Sequence, residues 1–259
     1  MTLLPTHIKA LIVDMDGVLW KGDAPIGDLP AIFARIADLG LKVVFATNNG
    51  TRSPQQYVER LAGYGVSIEP WQVVTSSLCA ARLLNQKFPQ GGPIFAIGED
   101  GLLEALREKN FEPLSVDDAP SAQAVVIGID RQISFNKMRE ATLLVRAGKP
   151  FYATNPDKTF PTPRGEIPGA GAWLSVIVTA TDVEPIYAGK PYPDIIELSL
   201  ERLGLPREQA LVVGDRLETD IAAGQAANCP SALVLSGVST REQAEAWPSK
   251  IDVIAESLE

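Results

Sequence analysis

Short runs of β-branched and aliphatic residues alternate along this chain with segments whose apolar positions recur at helical spacing. The first run, Ile8-Lys9-Ala10-Leu11-Ile12-Val13, reads as a buried parallel strand and stops abruptly at Asp14-Met15-Asp16-Gly17. Val18 to Ile26 reads as a loop rich in Gly, Asp and Pro. Leu29, Ile32, Phe33, Ile36 and Leu39 then predict a helix capped by Asp28 and stopped at Gly40. Leu41 to Ala46 is a second buried strand, ending in Thr47-Asn48-Asn49-Gly50, and Ser53-Pro54 opens the next helix. This βαβα rhythm implies a parallel sheet with right-handed crossovers.

Val73-Val74-Thr75 predicts another short strand, followed by a helix through Leu84. The rhythm restarts after Pro89-Gln90-Gly91-Gly92-Pro93, with strands at Ile94–Ile97, Ala124–Ile129 and Phe151–Ala153 and intervening helices. Asn155 to Gly169 reads as a long Pro/Gly-rich loop, and Gly171 to Thr181 as a helix. Ile186-Tyr187-Ala188 reads as the return of the first sheet, entering Gly189-Lys190-Pro191 and a helix from Ile195 to Leu203. A strand at Ala210–Val213 ends in Gly214-Asp215, Thr219 to Ala227 is helical, and Ser231–Leu235 is a further strand. The expected fold is α/β: a Rossmann-like parallel-sheet core of residues 1–77 and 185–259, with an inserted α/β cap domain at 78–184.

Composition narrows the chemistry. The 259 residues are 46% hydrophobic, as in a soluble globular protein. A formal net charge of -9 supplies no basic field for nucleic acid, so an anionic substrate must be held locally by a metal, a few cations or helix N-termini. No apolar run is long enough to cross a bilayer, and Met1 to His7 shows no secretory pattern, so a cytoplasmic protein is expected. Cys79 and Cys229 form no C-x-x-C pair and read as buried thiols. The single histidine, His7, precedes the first strand, at the opposite end from Asp14. Acid–base work therefore falls to carboxylates or a lysine.

Ligands of open parallel sheets bind beyond the carboxyl ends of the strands. There the pattern places Asp14 and Asp16, Thr47 to Asn49, Lys190, and Asp215 with Asp220. A lone Asp-x-Asp is more often a turn or a helix cap, Thr47 alone a cap, and Asp220 alone a helix acid. Together the four clusters supply what phosphoryl transfer needs. A carboxylate can attack phosphorus, and a second acid can protonate the leaving oxygen. Hydroxyl, amide and ammonium groups can hold the equatorial oxygens. Crowded acids with no neighbouring cation in sequence also suggest a divalent metal.

In order along the chain, Val13-Asp14-Met15-Asp16-Gly17-Val18-Leu19, Thr47-Asn48-Asn49, Gly189-Lys190-Pro191 and Gly214-Asp215-Arg216-Leu217-Glu218-Thr219-Asp220 resemble the four motifs of haloacid dehalogenase-like phosphatases. The inserted domain, with Gly128-Ile129-Asp130 and Thr154-Asn155-Pro156-Asp157, resembles the cap of the NagD-like, 4-nitrophenylphosphatase branch (subfamily IIA). Phe135 stands where that branch often has tyrosine. The resemblance implies that Asp14 is the nucleophile and Asp16 the general acid/base. It also implies that Asp14, the Asp16 carbonyl and Asp215 hold Mg²⁺, and that Thr47, Asn48, Asn49 and Lys190 bind the phosphoryl group. Asp220 would orient Lys190 or a metal-bound water from behind. Asp16 separates this reading from dehalogenases, whose halide leaving group needs no acid, and from pump-type ATPases, which similar proteins indicate lack one.

The implied activity is Mg²⁺-dependent hydrolysis of a small phosphomonoester through an aspartyl-phosphate. The alternatives are a sugar-phosphate phosphotransferase or mutase, and a non-catalytic phosphometabolite-binding protein. Partners are a small phosphorylated metabolite and, by resemblance, a second copy through the cap; neither nucleic acid nor membrane is expected. The cap is expected to close over the site, with Asn155, Asp157, Arg164 and Glu166 as specificity candidates. Ala-Gly-Lys-Pro occurs twice, and only the copy containing Lys190 is expected to serve catalysis; Lys149 follows a helix stop at Gly148. Gly169-Ala170-Gly171 lacks the third glycine of a dinucleotide fingerprint and reads as a tight helix entry.

Overall fold

The strand Ala10–Val13 lies inside a six-stranded sheet of order Val253–Ala255, Ser231–Val234, Ala210–Gly214, Ala10–Val13, Lys42–Thr47, Val73–Thr75. This is a computed structural model, and it describes residues 5–162 and 164–259. The absence of a secretory pattern in Met1 to Leu4 lies outside the described residues. Two compact units divide the chain: Met1–Thr47, Pro54–Val74 and Lys190–Glu259 form the first, Asn48–Ser53 and Thr75–Gly189 the second.

In the first unit, Ala10–Val13 pairs in parallel with Ala210–Gly214 on one side and Lys42–Thr47 on the other, Ala10 opposite Ala210 and Lys42. Alternate residues of a strand face opposite sides of a sheet, so a strand covered on both sides must be apolar throughout. All four residues of Ala10–Val13 are buried. Leu11, Val13, Val43, Phe45, Leu211 and Val213 share one core cluster with Leu29, Ile32 and Ile36 of helix Leu29–Asp38 and with Tyr57 and Leu61 of helix Pro54–Gly63. Asp28 caps the former helix by accepting from the Ala31 amide at 3.1 Å, and Gly40 follows its end at a φ of 69°. On the other face, Leu233 packs with Leu217, Ile221 and Ala244.

The second unit has its own parallel sheet, of order Ile186–Tyr187, Phe151–Ala153, Val125–Ile127, Gly92–Ile97, Phe111–Pro113. Phe95, Ile97, Val125, Ile127 and Phe151 pack there with Leu144 and Val145 of helix Phe135–Arg146 and with Leu174 and Ile177 of helix Ala170–Thr181. Cys79 and Cys229 are both buried and free.

Four details differ from the sequence reading. Ile186–Tyr187 does not return to the first sheet: it pairs with Phe151–Ala153, and the Ala188 amide continues that ladder to the Ala153 carbonyl at 3.0 Å. Lys190 thus follows a strand of the second sheet. Within Val18 to Ile26, Trp20–Lys21 and Ala24–Pro25 form a small antiparallel hairpin. Within Asn155 to Gly169, Thr159–Thr162 and Gly165–Pro168 pair likewise. Two-stranded ribbons consist only of edges, where proline is tolerated, so the prolines that suggested a loop did not prevent pairing. Finally, the helix expected from Thr219 begins with a π-turn, Leu217–Ile221, before Ala222–Ala226.

Candidate active site

Every predicted site residue of the first unit stands at or just beyond a strand end, except Asp220, which the π-turn presents. The Asp14 amide extends the sheet ladder to the Val213 carbonyl at 2.8 Å, and the chain then breaks away. Gly17 adopts a φ of 88°, a left-handed conformation that side chains disfavour, and a Cβ there would collide with the Asp215 carboxylate. Gly237 approaches the same carboxylate as closely. Glycine is required at both positions because the backbone itself walls the acid.

Lys190 holds the centre. Its Nζ donates to Asp14 Oδ1 at 2.5 Å, to Asp220 Oδ1 at 2.6 Å and to the Ala46 carbonyl at 2.9 Å. All three side chains are buried, Lys190 at 3% exposure. Asp220 Oδ2 accepts the Arg216 amide at 3.0 Å, so both oxygens of this acid are committed to protein donors. Asp215 Oδ2 accepts the Val238 amide at 2.8 Å. Ser236 Oγ donates to the Gly17 carbonyl, and Ser239 Oγ accepts the Leu217 amide, tying the loop after Ser231–Val234 to the other two acidic segments. Thr47 is buried at its strand tip, and Asp16 Oδ1 accepts the Trp20 indole N–H at 2.8 Å.

Oxygens of Asp14, Asp215 and Asp220 lie within 4.8 Å of one another. Burial raises Asp14 well above the usual carboxylate range; Lys190 opposes this, while Asp220 and Asp215 add to it. Burial also raises Asp215, with help from Asp220 and against the Val238 amide, to about 7. Burial acts to lower Lys190, yet Asp14 and Asp220 together hold it above its ordinary range. These tendencies compete, since a protonated Asp14 would remove one of the charges that keep Lys190 cationic. Direct ion pairs at 2.5 and 2.6 Å favour a cationic Lys190 between two carboxylates. Three clustered acids beside one ammonium carry a surplus of negative charge when ionised. A hard cation with oxygen ligands fits that donor set.

In the second unit, Asn48 is held by its own neighbours. Its Nδ2 donates to Asp157 Oδ2 at 3.0 Å, and its carbonyl accepts from Ser76 Oγ at 2.7 Å and Asn155 Nδ2 at 2.9 Å. Asn49 Oδ1 accepts from the Thr51 hydroxyl and amide. Asn155 is buried, whereas Arg164 and Glu166 are exposed beside or on the hairpin. Lys149 lies between helix Phe135–Arg146 and strand Phe151–Ala153, its amide bonded to the Leu144 carbonyl, as expected of a helix stop. Cβ atoms on Gly169 and Gly171 would overlap the Asp157 and Pro156 carbonyls, so close backbone approach accounts for both glycines. Sequence reasoning missed the Trp20 contact to Asp16 and the Ser236–Ser239 loop; Trp20 lying four residues after Asp16, across Gly17, was the available signal for the first.

Residues 11–112 match the family described as haloacid dehalogenase-like hydrolase, and residues 187–259 one described as HAD-hydrolase-like. An acid sugar phosphatase of Staphylococcus saprophyticus is 34% identical over 239 residues, covering 92% of this chain and 91% of its own. The chain belongs to the haloacid dehalogenase-like hydrolases. Within them it is a NagD-like phosphatase. NagD from E. coli K-12 superimposes with a TM-score of 0.89 at 31% identity, and a p-nitrophenyl phosphatase from Archaeoglobus fulgidus with 0.89 at 35%. Each comparison covers 97% of both chains. As a haloacid dehalogenase-like phosphatase, the chain has the α/β parallel-sheet core its hydrophobic pattern predicted. No described helix is long and apolar enough to cross a membrane.

Proposed function

We propose that this phosphatase hydrolyses small phosphomonoesters, Mg²⁺-dependently, through an aspartyl-phosphate on Asp14. The observation that carries the reading is the Lys190 ammonium bound to Asp14 and Asp220, with Asp215 beside them and surplus negative charge left over. Asp14 and Asp215, with the Asp16 carbonyl, would hold the magnesium ion. When bound, that ion offsets the charge shared by the carboxylates and the phosphoryl oxygens. Asp220 stands behind Lys190 and fixes its direction.

An Asp14 carboxylate oxygen attacks phosphorus as the bond to the leaving oxygen breaks, and Asp16 gives that oxygen its proton. Thr47, with Asn48 and Asn49 following it, and Lys190 bind the equatorial oxygens. Asp16 then removes a proton from the attacking water; the new P–O bond forms as the bond to Asp14 breaks, restoring the carboxylate. Asn155 and Asp157, which hold Asn48, stay specificity candidates together with the exposed Arg164 and Glu166. The relatives' names direct substrate tests first to small sugar phosphates and aryl phosphates.

Release of 4-nitrophenol from its phosphate should therefore require Mg²⁺ and fall by about 100-fold with excess EDTA. Retention of the full rate in metal-free enzyme would reject metal dependence. A proton and a cation should also compete for the same carboxylates. Because folding raises Asp215 from 3.8 to about 7, its contribution to stability is complete below pH 4 and is lost as pH rises through 7. Metal-free protein should accordingly show a falling Tm across that interval. The Tm gain on adding Mg²⁺ should be larger at pH 8 than at pH 5, measured by scanning fluorimetry; equal gains would contradict the competition.

A further inference from the structure

We propose that Trp20 is a positioning residue for Asp16, fixing one carboxyl oxygen so that the other carries the transferable proton. The inference rests on the reading of Asp16 as the general acid. Trp20 is fully buried, and its indole N–H would lack a partner without Asp16 Oδ1, which accepts it at 2.8 Å. A backbone bond from the Gly17 amide to the Trp20 carbonyl, 2.8 Å, closes the turn between the two residues. The donor and the acceptor are thus locked into one tight loop.

The ring itself has little freedom. The Arg60 guanidinium lies 4.0 Å from the Trp20 ring centroid, and the Tyr64 ring centroid is at 6.0 Å. Arg60 also donates to the Gly22 carbonyl, and Tyr64 Oη donates to the Asp23 carbonyl at 2.8 Å. Helix Pro54–Gly63 and the residues after it therefore grip both the ring and the tip of its hairpin. With the ring held, the indole N–H has one direction, and it selects Oδ1 of Asp16. Oδ2 is left to give its proton to the leaving oxygen as the Asp14–phosphorus bond forms and the ester P–O bond breaks.

A positioned acid matters in proportion to how poor the leaving group is. The test compares alcohol release in the first turnover from 4-nitrophenyl phosphate, which leaves readily, and from an alkyl phosphate, which needs a proton. Trp20→Phe keeps an aromatic ring but deletes the donor. Replacing Trp20 by 3-benzothienylalanine exchanges only the N–H for sulfur, and keeps the question open to test should the Phe variant fold poorly. In both, the rate should fall about tenfold more for the alkyl than for the aryl ester. Asp16→Asn should show the same preference, on the order of 100-fold. Equal losses on the two esters in a folded Trp20 variant, beside a strong preference in Asp16→Asn, would overturn the role of Trp20 alone. Equal losses in Asp16→Asn would instead overturn Asp16 as the acid, and the proposal with it.

Discussion

Asp14→Asn is expected to lower turnover of 4-nitrophenyl phosphate on the order of 10⁴-fold or more while leaving the fold intact. The amide matches the carboxylate in shape but is a far weaker nucleophile and cannot form the covalent intermediate. Structural damage should be small, because Lys190 keeps Asp220 and the Ala46 carbonyl as partners. Burial already disfavours the Asp14 charge, so its removal relieves a cost in the metal-free protein. The Tm without metal should therefore match or exceed that of the parent, and the gain from Mg²⁺ should shrink. Activity and stability moving in opposite directions separates a chemical role from a packing role. A variant that retained the parent rate would remove Asp14 from the mechanism.

Much of this site was legible because chemistry and fold coincide in the strand ends. Apolar runs such as Ala10–Val13 and Ala210–Gly214 announce buried parallel strands, and polar residues following them fall at the ligand-binding edge. Lys190 was told apart from Lys149 by a preceding strand read as part of the first sheet; that strand pairs in the second, and the ion pairs to Asp14 and Asp220 are what set Lys190 apart. What stayed hidden has a common cause in short range. Trp20–Lys21 and Ala24–Pro25 are two-residue strands, too brief to establish a period. The sheet that Ile186–Tyr187 joins is chosen by pairing with a distant segment, which local composition does not encode. The Val238 contact to Asp215 was invisible because it is a backbone N–H, identical in every residue but proline. The π-turn was similarly hidden: it inserts one residue into an otherwise helical pattern, and Asp220, the partner of Lys190, lies within it.

Lys190→Met should be as damaging to the fold as to the chemistry. Methionine fills much of the same volume but leaves Asp14 and Asp220 buried without their shared cation. Removing one member of a buried ion pair costs about 3–5 kcal/mol, since the stranded charge must remain desolvated or take up a proton. Turnover should fall about 1,000-fold even where the protein is folded, because the ammonium also opposes charge on the phosphoryl group. The stability loss can be traced to its source by adding Asp220→Asn. That second change neutralises one stranded acid, and the double variant should recover a large part of the lost stability without recovering turnover. Denaturant titration of the four proteins measures the coupling. Additive losses would show that Lys190 and Asp220 do not share a charge in solution, whereas a compensating double variant identifies electrostatic balance, and not side-chain volume, as what this buried cluster requires.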